Sequence, residues 1–159
     1  MRKPAQPSVT VKNIEAAFAG ESMAHIKYLY FARVCRARGD EESARIFEET
    51  AAQEVQHAFG HMDLLYPEPA LDSVKCLELA IAGETYEYTE MYPRFRHLAE
   101  QERHEVAVRE FDEQIAESRQ HADQFQAVLN KAEKRFAALS KVEERHARRY
   151  EDALQRVRA

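Results

Sequence analysis

Ala17-Phe18-Ala19-Gly20-Glu21-Ser22 and Ala80-Ile81-Ala82-Gly83-Glu84-Thr85 are two copies of one pattern, A-x-A-G-E-[ST]. Each copy is followed downstream by Glu-x-x-His, at Glu54/His57 and again at Glu143/His146. Residues three apart in a helix share a face, so each Glu-x-x-His directs a carboxylate and an imidazole at one point. The duplication therefore reads as two pairs of helices. In each pair the first helix offers a Glu and the second a Glu and a His.

The composition agrees with an all-helical chain. Of 159 residues only four are Gly and five Pro, and no Gly occurs beyond Gly83. Ala, Glu, Arg, Gln and Leu are abundant and runs of β-branched residues are missing. The length suits one domain with a real core. Net charge is −5 with both signs interspersed, which leaves no basic footprint for nucleic acid. No stretch approaches the roughly 18 apolar residues of a membrane span, and the N-terminus lacks the apolar run of a secretory signal. The expected location is the cytosol. Cys35 and Cys76 are isolated and no C-x-x-C occurs, which excludes a rubredoxin-like or zinc-ribbon site within this chain. Both thiols are expected to be buried apolar groups.

Residues 1–9, with Pro4 and Pro7, read as a flexible tail. A first helix is expected over about 10–38, with Thr10 as N-cap and Gly39 as its stop. Asp40 then caps a second helix reaching about Tyr66, and Pro67-Glu68-Pro69 forms a short crossover. Asp72 or Ser73 starts a third helix, which Pro93 should kink, or whose straight portion it should end. In the first half Glu54 follows Glu21 by 33 residues; in the second Glu143 follows Glu84 by 59, an excess of 26. Beyond about Glu105 apolar or small residues alternate by four and three: Phe111, Ile115, Ser118, Ala122, Phe125, Leu129, Ala132, Phe136, Leu139. The same phase runs on through Glu143, His146 and Tyr150. That predicts one long helix over about 105–156, roughly 80 Å at about 1.5 Å per residue. Asn130 with Glu133 offers a capping box that would instead begin a separate helix.

Both Glu-x-x-His pairs continue the apolar seam of their helix, where an unpaired charge is expensive. A bound cation supplies the charge that such a buried pair lacks. One Glu on each of two helices and a Glu-x-x-His on each of two others is the donor inventory of di-iron four-helix carboxylate proteins. Glu87, on the face of Glu84, adds a fifth carboxylate, where the first copy has Ala24. Five carboxylates with only two imidazoles favour iron or manganese over zinc or copper. Gly20 and Gly83 stand at one offset from both Glu in helix interiors, where Gly costs roughly 1 kcal/mol against Ala. They are expected to mark a close approach of helices around the site.

These stretches, with Glu84-x-x-Glu87-Tyr88-Thr89-Glu90-Met91-Tyr92-Pro93, resemble the rubrerythrin family over nearly the whole chain. The resemblance implies a ferritin-like four-helix bundle over 10–159 holding two iron ions and reducing hydrogen peroxide to water. It implies that Glu54 and Glu143 bridge the metals and that Glu21 and Glu87 bind one iron, with His57 joining or leaving with redox state. Glu84 and His146 would bind the other. Tyr28 and Tyr92 match tyrosines that hydrogen-bond the ligand carboxylates. The chain is similar to the short members without a rubredoxin domain, so electrons would come from an external donor such as a rubredoxin-like protein or a reductase. Applying the first half's spacing of 33 from Glu84 lands on Glu117, near His121, a rival to Glu143/His146 for the fourth-helix ligands.

The 26-residue excess has two readings. A homodimer with antiparallel long helices would let the distal half complete the partner's bundle, a helix-swapped arrangement. Alternatively the third and fourth helices each lengthen by about 13 residues into a protruding hairpin. For function, a di-iron peroxidase acting on peroxide or oxygen in oxidative-stress defence leads. Behind it stand a ferroxidase or iron-handling ferritin-like protein and a metal-free helical interaction protein.

Overall fold

A computed structural model describes residues 8–67 and 71–158 of the chain. The described residues contain helices and turns and no strand. They divide into two compact units, Met1–Leu71 and Asp72–Ala159. No helix among the described residues is long and apolar enough to cross a membrane.

The first unit pairs α1 (Val9–Ala37) with α2 (Glu41–Leu65). Ser8, not Thr10, caps α1: its Oγ accepts from the Val11 amide at 3.2 Å. Residues 1–7 of the expected tail lie outside the described residues, and Val9 already belongs to the helix. The α1 terminus closes as the glycine at 39 predicts. Gly39 adopts φ 81°, its amide donates to Arg36 O and the Asp40 amide donates to Cys35 O, both at 3.0 Å. This pair of bonds satisfies the orphan carbonyls of a helix end. Asp40 then caps α2 by accepting from the Ser43 amide at 3.0 Å, which holds its carboxyl below the usual carboxylate range. The two helices run antiparallel. Ala44, Ala51 and Ala58, seven residues apart along α2, are buried with Ala32 of α1. Small side chains at those positions let the helix axes approach closely. Arg36 ties the pair together at the turn, bonding both oxygens of Glu48 at 2.6 and 2.9 Å and both of Glu41 at 2.9 and 3.0 Å.

The second unit begins with α3 (Ser73–Tyr86), capped by Asp72, whose Oδ1 accepts from the Lys75 amide at 2.7 Å. Of the expected Pro67–Pro69 crossover, residues 68 and 69 lie outside the described residues. The straight portion of the third helix ends ahead of Pro93, as expected. A π-helical turn, Glu87–Met91, precedes α4 (Tyr92–Gln101), with the Tyr92 amide donating back to Glu87 O. The wider turn lies just ahead of Pro93, whose ring and missing amide do not fit a regular α-helical ladder. Glu102–His104 then turn the chain into α5 (Glu105–Arg158), a single 54-residue helix. The hairpin reading and a fresh start at Asn130 are therefore corrected: Asn130 Oδ1 instead accepts from Gln126 Nε2 at 2.9 Å on the helix surface. Ser118, Ala122 and Leu129, all on the expected seam, are buried.

Two further expectations are corrected. A Cβ added at Gly20 or Gly83 would meet no atom of its own unit within 4 Å, so neither glycine marks a close approach of helices inside that unit. Cys76 is exposed and Cys35 only half-buried. In α3 the phase that puts Val74 and Leu77 inward leaves Cys76 facing solvent.

Candidate metal centre

In the first unit the antiparallel pairing brings Glu21 of α1 level with Glu54 of α2. One oxygen from each, with one ring nitrogen of His57, all lie within 4.8 Å of one another. His57 Nδ1 donates to Glu54 Oε2 at 2.9 Å. Two carboxylates and an imidazole converging from two helices form a three-donor cluster with the chemistry to hold a hard or borderline cation. The register behind it is fixed by His25, one turn beyond Glu21, whose Nδ1 donates across to Ala51 O at 2.8 Å. A carbonyl only accepts, which assigns the proton to that nitrogen. His25 belongs to neither Glu-x-x-His pair. Its spacing of four from Glu21 was the available signal. Tyr28 stacks in an aromatic group with Phe31 and Phe47, at ring separations of 6.5 and 5.9 Å.

The second unit gathers Glu84, Glu87, Ser118 and His121. Glu84 lies in the last turn of α3 and Glu87 opens the π turn. Ser118 of α5 is 3% exposed, and its Oγ donates to Glu87 Oε2 at 2.9 Å. His121 Nδ1 approaches Glu84 Oε2 at 3.5 Å without hydrogen-bonding it. That oxygen of Glu84 is buried and has no hydrogen-bond partner. A desolvated carboxylate oxygen without a donor is costly, and a cation is the group that would satisfy it. The donor sets of both units therefore fit metal ions. Tyr92 lies in the same field. Burial first, and then the negative charges of Glu87 and Glu84, push its hydroxyl above the ordinary value of 10.0. Its ring packs on Phe111 and Phe95 at 6.0 and 6.4 Å.

Glu143 and His146 stand elsewhere. They are 3.8 Å from each other, with side chains 66% and 51% exposed. The level of α5 that meets Glu84 and Glu87 is 118–121, and Glu143 lies about 39 Å further along than Glu117 at about 1.5 Å per residue. Glu117, adjacent to Ser118, is exposed. The structure thus brings together Glu21, Glu54 and His57 in one unit, and sets His121 beside Glu84 in the other. It does not bring Glu143 or His146 to Glu84.

A family model described as rubrerythrin matches residues 12–129. The chain belongs to the rubrerythrin family. The all-α, ferritin-like class read from the sequence stands with that membership. The matched stretch contains Glu117 and His121 and ends before Glu143. Nigerythrin of Nitratidesulfovibrio vulgaris is 38% identical over 134 residues, which cover 76% of this chain and 66% of that protein. The rubrerythrin of the same organism is 39% identical over 120 residues, 69% of this chain and 63% of that one. The rubrerythrin of Porphyromonas gingivalis is 38% identical over 113 residues, 64% and 56%. The chain thus spans between 56% and 66% of the length of these relatives. A solved structure of nigerythrin in its fully reduced, all-ferrous state shares 34% identity, covers 84% of this chain and 73% of that one, and has a TM-score of 0.40.

Proposed function

We propose that this rubrerythrin-family protein is a non-haem di-iron oxidoreductase that reduces hydrogen peroxide to water with electrons from an external donor, a rubredoxin-like protein or a reductase. The observation that carries the reading is the convergence of Glu21, Glu54 and His57 within 4.8 Å, backed by the unpartnered buried oxygen of Glu84. We assign the metal-holding residues as Glu21, Glu54 and His57 from the first unit and Glu84, Glu87, Glu117 and His121 from the second. Glu117 and His121, where the first half's spacing of 33 lands, take the place that the Glu-x-x-His motif gave to Glu143 and His146, because Ser118 and His121 meet Glu87 and Glu84. Iron suits this donor set, and manganese is the closest substitute.

Two ferrous ions held by these residues would supply the two electrons that, with two protons, convert one hydrogen peroxide to two waters. The protein's part is to fix the carboxylates and exclude competing donors. Glu54 holds His57 by its hydrogen bond, and His25 locks the two helices in register one turn away. Ser118 orients Glu87. Tyr92, kept neutral to high pH by burial and then by the acids around it, remains a hydrogen-bond donor at the working pH, and Tyr28 is assigned the same role for the first carboxylates. The reaction is placed in the cytosol.

The test is iron per chain after anaerobic reconstitution, followed by stopped-flow oxidation of the reduced protein. Two irons per chain, oxidised far faster by peroxide than by oxygen, support the peroxidase. Equal or faster oxidation by oxygen supports iron handling of the ferroxidase kind, and no bound metal overturns the di-iron reading.

A further inference from the structure

The last 29 residues of α5 lie beyond the stretch the family model matches, yet they carry a seam of their own. From Leu129 the seam continues in unbroken steps of three and four to Val157, the spacing of a coiled-coil a/d stripe. Its large members are bare: Phe136 is 65% exposed, Tyr150 77% and Val157 86%. The middle of this apolar seam is occupied by Glu143 and His146.

We propose that this segment pairs with the same segment of a second copy, antiparallel, about a two-fold axis between residues 144 and 145. The register follows from the seam itself. That axis sets Glu143 against the partner's His146 and His146 against the partner's Glu143, so each polar group in the seam meets its opposite. Moving outward, Leu139 meets the partner's Tyr150, Phe136 meets the partner's Ala153 and Ala132 meets the partner's Val157. Every large side chain lies opposite a smaller or complementary one. The overlap of 132–157 is about 39 Å long at about 1.5 Å per residue and spans the three to four heptads that sustain a coiled coil.

Other pairings match less well. A parallel pair would stack Glu143 on the partner's Glu143 and leave Ala against Ala at 132 and 153. An antiparallel register shifted by one heptad sets Glu143 against Ala153 or Leu139 of the partner. Residues 131–158 carry nine Lys or Arg and five Asp or Glu, so an acidic surface is the competing occupant. Such a surface would oppose His146 but set like charge against Glu143. Self-pairing alone satisfies both, and salt screens the residual repulsion between two basic tails. The inference is independent of the metal assignment.

The experiment uses the full chain with Cys35→Ser and Cys76→Ser, carrying either Leu139→Cys or Tyr150→Cys, at physiological salt in a thiol–disulfide buffer. A mixture of the two variants is expected to form the 139–150 cross-link. Leu139→Cys alone should not link to itself, because its copies lie about 16 Å apart along the pair at about 1.5 Å per residue, beyond disulfide reach. Adding Glu143→Lys should lower cross-linking on the order of tenfold, and Glu143→His with His146→Glu should restore it. Self-linking of Leu139→Cys, or no link in the mixture, overturns the proposal whatever the metal content.

Discussion

Glu84 Oε2 has been taken out of water beside His121 without acquiring a donor. Glu84→Gln is therefore expected to act with opposite sign on the two forms of the protein. The metal-free chain should gain about 1 kcal/mol by losing an unsatisfied charge, read by chemical denaturation. The iron-loaded protein should lose metal and stability together. Ser118→Ala removes the hydroxyl that serves Glu87 and should cost about 1–2 kcal/mol, since the bond is to a charged group in a part-buried place. Tyr92 supplies a pH signature. Its folded value lies above 10.0, so the unfolded phenol ionises first as pH rises. The stability it contributes is whole below the ordinary value and is lost as pH climbs through the raised one. Metal-free protein should weaken between neutral and strongly alkaline pH, and Tyr92→Phe should lessen that loss. None of these partners is visible from residue type alone. Ser118 reads simply as a small seam residue until α5 is laid against the π turn.

Helix ends show how local rules fared at the scale of the element. Gly39 and Arg103 close α1 and α4 with the same motif. The Arg103 amide donates to Glu100 O at 3.1 Å and the His104 amide to Ala99 O at 2.8 Å. At the first, glycine adopts the positive φ freely; at the second, arginine holds φ 58°. A left-handed residue with a Cβ costs roughly 1–2 kcal/mol. Arg103→Gly should therefore raise stability by about 1 kcal/mol and Gly39→Ala lower it by a similar amount, both read from denaturation midpoints. The Gly39 stop was legible because glycine announces it. The turn at 102–104 carries neither Gly nor Pro, so only the change of phase near Glu105 marked it. His104 takes the capping place there, its Nδ1 accepting from the Ala107 amide at 3.2 Å. Pro93 was legible as a disturbance but not as a π turn. A proline states which amide is missing, not how the preceding turn widens to absorb it.

For the molecule as a whole, the decisive comparison is between Glu117→Gln and Glu143→Gln. Iron per chain after anaerobic loading should fall for the first and stay unchanged for the second. Both pairs share residue types and lie on one helix, so a ligand search by spacing weighs them on flanking sequence. Amphipathic periodicity, caps and the repeat of carboxylates with Glu-x-x-His are properties of neighbours along the chain. The sequence by itself therefore determined the all-helical class, the two paired helix units, the long last helix and the chemistry of the donors. Which turn of α5 stands beside Glu84 and Glu87 is a matter of where α4 ends and how the chain reverses at 102–104. A uniform heptad seam is equally content in many sliding positions, and only the tertiary packing of Ser118, Ala122 and Leu129 selected one.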